Sequence, residues 1–159
     1  MPHVSETLFR LIYASRAAPD CEADMDGALS DILAIAIPRN RMRGVTGLLI
    51  AYRGWFIHAV EGDEPPVRET LEFVRGDRRC HPPCVLTEGP LAQRQFGDWS
   101  LAGRVLSPAD SAVLRGFDDA DDFDPAAVPE RILLRLFAVV AEAHRHRFTV
   151  QQQQIIRRH

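Results

Sequence analysis

The sequence predicts an α+β sandwich whose elements run β-α-β-β-α-β, with one further strand, and three observations carry that expectation. Runs rich in β-forming residues recur at 8–13, 44–52 and 55–60, bounded by polar or turn residues. Two intervening segments carry apolar residues at helical spacing. The second and third runs are joined only by Arg53-Gly54, the short glycine-containing connection of a hairpin. Together these describe a ferredoxin-like arrangement of helices on a sheet.

Taken in order, Leu8 to Tyr13 is a strand and the Pro19-Asp20 region a loop. Leu29, Ile32, Leu33 and Ala36 then fall at i, i+3, i+4 and i+7, one buried helix face. Asp24 or Asp26 can cap this helix, and Pro38 is expected to stop or kink it, which leaves Asn40 just past its end. After the hairpin, Pro65-Pro66 opens a second helix with Val67, Leu71 and Val74 inward, ended by Gly76-Asp77. Cys84 to Thr87 and Arg94 to Leu101 read as two more strands. Ser107 and Pro108 form a helix start, residues 118–124 an acidic loop, and Pro129 to Arg147 a long helix with Ile132, Leu133, Leu136, Val140 and Ala143 on one face. That helix, or a second subunit, is expected to cover the bare sheet face. Gln151 to His159 reads as a weak helix or disorder. The expected division is 1–106 for the sheet domain, 107–148 for a helical extension and 149–159 for a polar tail.

Composition narrows the function classes. Of 159 residues, 46% are apolar and 26% charged, the balance of an ordinary globular chain. A net charge of −3 argues against a sequence-independent grip on nucleic acid or anionic lipid. All 19 basic residues are arginine, scattered along the chain. No run approaches the apolar length of a membrane span, and Met1 to Arg10 lacks a signal-peptide pattern. With only Cys21, Cys80 and Cys84, the expected setting is a reducing cytoplasm with free thiols.

Chemistry-bearing clusters are few. Cys80-His81 with Cys84 offers zinc-type ligands, but no second pair stands at the usual spacing. His144 and His146, two apart on a helix, point to different faces. The 118–124 loop lacks the glycine and terminal glutamate of a calcium loop. No metal is expected, and there is neither a phosphate loop nor a nucleophile elbow. What remains is polar residues on or beside apolar strands: Tyr13, Ser15, Asn40 and His58. Strand alternation sets Phe56, His58 and Val60 on one face. Taken alone, His58 reads as a core histidine satisfied by a carbonyl, and Tyr13 as a packing residue.

Spacing changes that reading. From Leu8 to Leu106 the chain resembles the BLUF family of flavin-binding blue-light sensors. The resemblance rests on L-I-Y-A-S-R-A (11–17), Arg39-Asn40, G-V-T-G-L-L (44–49), G-W-F-I-H-A-V-E-G (54–62), D-R-R (77–79) and R-Q-F-G-D-W-S (94–100). It implies FAD, with FMN or riboflavin as alternatives, held between the two helices. It implies Tyr13 as the photochemically active tyrosine, Arg39-Asn40 beside the flavin's polar edge, and Asp77 and Arg79 on the pyrimidine side. It further implies Ser15 as a polar neighbour, Ile32 and Val74 as the apolar sandwich, and Tyr13, His58 and Trp99 as the switch residues. A flat apolar ring with one polar edge suits such a lining.

One departure stands out: His58 occupies the position of the family's glutamine. Imidazole has no carbonyl and amino group on one carbon, so it cannot copy an amide's rearrangement, and it ordinarily titrates near neutral pH. Leu101 stands where the family often has methionine. The expectation is a short stand-alone photoreceptor, not an enzyme, that forms a homo-oligomer, a dimer being favoured, through its C-terminal helices or the sheet face they leave open, and acts on an unknown protein partner. The competing readings are a redox sensor, a flavin-free interaction module on the same fold, and an acylphosphatase-like hydrolase, whose anion loop after the first strand is absent.

Overall fold

The computed structural model describes residues 8–97, 99–107, 110, 114 and 123–157, with side chains as far as residue 146. Strands β1 (Leu8–Arg16), β2 (Thr46–Tyr52), β3 (Trp55–Asp63), β4 (Cys84–Leu91) and β5 (Ala102–Val105) form one sheet in the order β4-β1-β3-β2-β5. β1 runs antiparallel to β3 and β4, β2 antiparallel to β3, and β5 parallel to β2. This is the ferredoxin-like order with one strand added beyond β2. Arg53 and Gly54 turn the β2-β3 hairpin with φ of 47° and 80°, the twist-matching geometry that two positive-φ residues provide.

The helices are α1 (Pro19–Glu22), α2 (Met25–Arg43), α3 (Glu64–Arg75) and α4 (Glu130–Arg157), with a 3₁₀ turn at Pro125–Ala127. Alternation along the strands builds two cores. Toward α2 and α3 point Leu11 and Tyr13 of β1, Leu49 and Ala51 of β2, and Phe56 and Val60 of β3. The other face buries Ile12, Leu48, Ile50 and Ile57 under Leu133, Leu136, Phe137 and Val140 of α4. The apolar stripe of α4 is therefore used against its own sheet.

Several expectations need correction. α2 does not stop at Pro38: Asp24 caps it by accepting from the Gly27 N–H, and it runs through Asn40 to a left-handed Gly44. Pro38 forfeits one backbone bond there, which packing of the buried face outweighs. Asn40 is thus a helical residue, 1% exposed. The Pro19-Asp20 loop holds the short helix α1. β4 extends past Thr87 through Gly89 and Pro90, which an edge strand tolerates because Pro lacks only an outward donor. Arg94 to Leu101 is not a strand; the strand begins at Ala102, where Gly103 lets β5 approach α2, since a Cβ there would meet Leu33 at 2.9 Å. The start of the 107–110 motif is seen in the Ser107 N–H donating to Asp110 at 2.9 Å, while Pro108 and residues 118–122 of the acidic loop lie outside the described residues. α4 begins at Glu130 and carries a helical backbone through Gln151 to Arg157, where a weak helix or disorder is expected from sequence.

Candidate functional site

α2, α3 and the sheet enclose a cleft of about 540 Å³, its mouth included. Tyr13 and Ser15 (β1), His58 (β3), Ile32 and Arg39 (α2) and Val74 (α3) line it. Asp77 and Arg79 join them from the segment after α3. These eight of the sequence-derived site residues converge there. Asn40 and Trp99 do not line it. Asn40 Nδ2 donates to the Ser100 carbonyl at 3.0 Å, tying α2 to the segment before β5. Trp99 packs on α4, edge-on to His144 with ring centroids 4.7 Å apart, on the sheet's other side.

The centre of the site is a cross-strand pair. Tyr13 lies opposite His58 in the β1-β3 register, so both side chains leave the sheet on the same face. The Tyr13 hydroxyl meets His58 Nδ1 at 2.6 Å. Burial raises the tyrosine pKa above its ordinary value, so the phenol keeps its proton and donates. Burial, helped by the Arg39 charge, pushes His58 down to about 3. The imidazole is therefore neutral across the physiological range, in place of the near-neutral titration its residue type suggests. Nδ1 accepts, which puts the single ring proton on Nε2. That N–H is buried and has no partner among the described residues.

Three of the six buried side-chain polar atoms without a partner among the described residues belong to residues that line the cleft: Ser15 Oγ, Arg39 Nε and His58 Nε2. Each buried group left so costs about 1–3 kcal/mol, which a ligand with polar atoms along one edge recovers. Asp77 and Arg79 are paired, Nε to Oδ1 at 2.9 Å, with the Arg79 backbone N–H on the same oxygen. Partial burial works to raise the Asp77 pKa, but the Arg79 contacts overcome it and hold the carboxyl below its usual range. Ile32 and Val74 face the cleft from the two helices. Apolar walls with polar atoms on one side fit a flavin ring. The same chemistry does not fit a metal, and no metal-binding cluster occurs among the described residues.

Sequence reasoning missed several contributors. Ile35, Phe73 and Cys80 also line the cleft. Ile35 lies one position off the buried face of α2, and Cys80 arrives through an isolated bridge to Ala17 that no local pattern announces. Glu61, 0% exposed on β3, was legible as a carboxylate inside an apolar strand. It accepts from the Gln95 N–H at 2.7 Å and from the Phe96 N–H. Arg94 completes this clamp with bonds to Thr46 Oγ1 at 2.9 Å and the Gly44 carbonyl at 2.8 Å.

A flat, two-walled cleft with a buried tyrosine-imidazole pair defines a receptor for a planar cofactor with one polar edge. A model of the BLUF family, described as sensors of blue-light using FAD, matches residues 8–102. The photoactivated adenylate cyclase subunit beta of Euglena gracilis is 30% identical over 136 residues, 80% of this chain and 16% of that protein. The chain thus spans about a sixth of the length of such relatives. Among solved structures, BlsA in its photo-activated state matches with TM-score 0.74 and 22% identity, over 84% of this chain and 94% of that one. BlrB in its dark state matches with TM-score 0.69 and 21% identity, over 88% and 99%. The chain belongs to the BLUF family: residues 8–102 form a flavin-binding, blue-light-sensing domain whose cofactor is FAD.

Proposed function

We propose that this domain senses blue light by tyrosine-to-flavin photochemistry in which an imidazole bridge, His58, replaces the family's amide switch. The observation that carries the reading is the 2.6 Å Tyr13–His58 bond with the opposite ring nitrogen buried and unpartnered. When bound, the flavin supplies blue absorption and an excited state that accepts an electron. Tyr13 lines the cleft and would be the donor of that electron, and its phenolic proton has one short path, to His58 Nδ1. The proton already on Nε2 would pass to the bound cofactor, which would take it up with the electron, as the new one arrives on Nδ1, so the ring relays a proton without turning. The relay leaves Nε2 an acceptor where it had been a donor, but no amide oxygen and amino group exchange places, and the pair resets by the reverse path that returns the proton to Nε2.

Absorption spectra before and after blue light test this. The wild type is expected to recover without a lasting red-shifted state, His58→Gln to install one, and Tyr13→Phe added to it to abolish it. A stable red-shifted state in the wild type would overturn the reading, as would its absence in His58→Gln with flavin bound.

The same proposal includes a homodimer and an output through α4. With Leu133, Leu136 and Val140 spent on the sheet, this rests on the outer face of α4, where Val139 is 38% exposed. Light scattering at high micromolar concentration tests it. Three free cysteines support a reducing, cytoplasmic setting, and among the described residues no helix is long and apolar enough to cross a membrane.

A further inference from the structure

Three arginines stand around the cleft, and two are answered. Arg79 is paired with Asp77 at 2.9 Å. Arg43 lies with its Cζ 5.1 Å from the Phe73 ring centroid and is paired with Glu69. Arg39 differs: its Cζ sits 4.1 Å from the same ring, and its buried Nε has no partner. No carboxylate forms an ion pair with it among the described residues. Phe73 holds the guanidinium in place by stacking but supplies no counter-charge. Burial lowers the Arg39 pKa from its ordinary value, yet an arginine stays charged. Its field reaches inward, opposing protonation of His58 and easing ionisation of Tyr13. The Asp77 carboxylate acts on Arg39 from a distance but is bonded to Arg79, so Arg39 is a cation with no ion pair of its own at the cleft wall, and it stabilises any negative charge that develops inside.

We propose that Arg39 sets the charge preference of this site: it stabilises the negative charge that the bound flavin gains on reduction, and so makes that flavin a stronger oxidant. The inference rests on the flavin reading of the cleft. Reduction by dithionite, itself oxidised to sulfite, delivers two electrons, and uptake of one proton leaves the ring with one net negative charge. That charge would face a guanidinium rather than a neutral wall. The cost of leaving Arg39 partly desolvated is offset further in that state.

The test measures the midpoint potential of bound FAD in the dark for the wild type, Arg39→Gln and Arg39→Lys. Arg39→Gln is expected to lower the reduction equilibrium constant about tenfold or more, about 30 mV for a two-electron couple. Arg39→Lys should keep most of the wild-type value. An unchanged potential in Arg39→Gln with FAD bound overturns the inference. The affinities of riboflavin, FMN and FAD for the same variants distinguish a second source of negative charge. If Arg39→Gln weakens FMN and FAD but not riboflavin, the guanidinium serves the phosphate and the inference fails. Should Arg39→Gln take up no flavin at all, an NMR titration of His58 in the flavin-free protein decides: an upward pKa shift supports the inward field, and none overturns it. A wild type that binds no flavin would defeat the flavin reading itself, a separate outcome.

Discussion

His58 faces the cleft side of the sheet, 7% exposed, and its environment makes it a neutral hydrogen-bond relay rather than a titrating switch. The sign of its contribution to stability follows from its pKa, about 3 in the folded chain against an ordinary 6.5. Between those values the unfolded chain holds a proton that the folded chain refuses, so stability rises with pH there and is lost as pH falls below 6.5. From pH 7.5 to pH 5 this one residue should withdraw about 2 kcal/mol. Urea unfolding of wild type and His58→Gln at both values isolates the term, because the carboxylates are common to both. Parallel losses in the two proteins would show that His58 is not held neutral by burial. Much of this residue's meaning was legible in sequence: strand alternation placed His58 beside Phe56 and Val60, and the motif spacing set Tyr13 against it. The pairing register was not, because nothing local in β1 encodes which residue of β3 it opposes.

At the scale of elements, the segment from Arg94 to Leu101 shows how a local pattern misleads. Its composition reads as a strand, but its backbone donors are claimed by a side chain. The Glu61 carboxylate takes the N–H groups of Gln95 and Phe96, and Arg145 of α4 donates to the Gln95 carbonyl at 3.2 Å. Such a long-range claim has no local trace, whereas the hairpin, both main helices and their inner faces do. Pro38 misled in the opposite direction: a local rule for ending helices lost to the burial of Ala36 and Asn40 on one face. Because the clamp replaces a ladder, removing it should free the segment and leave the sheet. Glu61→Ala strands one buried and one half-buried backbone donor, a loss of about 1–3 kcal/mol. Hydrogen exchange should then accelerate at Gln95 and Phe96 while β1 and β3 stay protected. Uniform acceleration across the sheet would mean that Glu61 supports the whole core instead of one segment.

Across the whole molecule the sheet acts as a partition. One face holds the cleft, walled by α2 and α3; the other is sealed by α4, with Phe96 and Phe137 at 0% exposure and ring centroids 6.1 Å apart. Two of the sequence-derived site residues sit away from the cleft for this reason. Asn40 bonds to the segment before β5 at Ser100, and Trp99 belongs to that segment and packs on α4, so the pair joins the two compartments. If the partition is real, stability and flavin affinity are separable. Phe137→Ala removes a large side chain from the α4 core and should cost about 3–5 kcal/mol of unfolding free energy in the flavin-free protein. Flavin affinity measured well below the melting point should stay within a factor of two or so, since no cleft residue moves. Val74→Ala should do the reverse, weakening flavin severalfold with little change in the flavin-free protein, because Val74 is a cleft wall and only partly buried. Excess flavin should then restore much of the lost stability of Phe137→Ala, by about 2.7 kcal/mol at a hundredfold excess over its dissociation constant. A Phe137→Ala protein that folds but has lost flavin affinity would show that α4 shapes the cleft through the sheet, and that the two faces are one site.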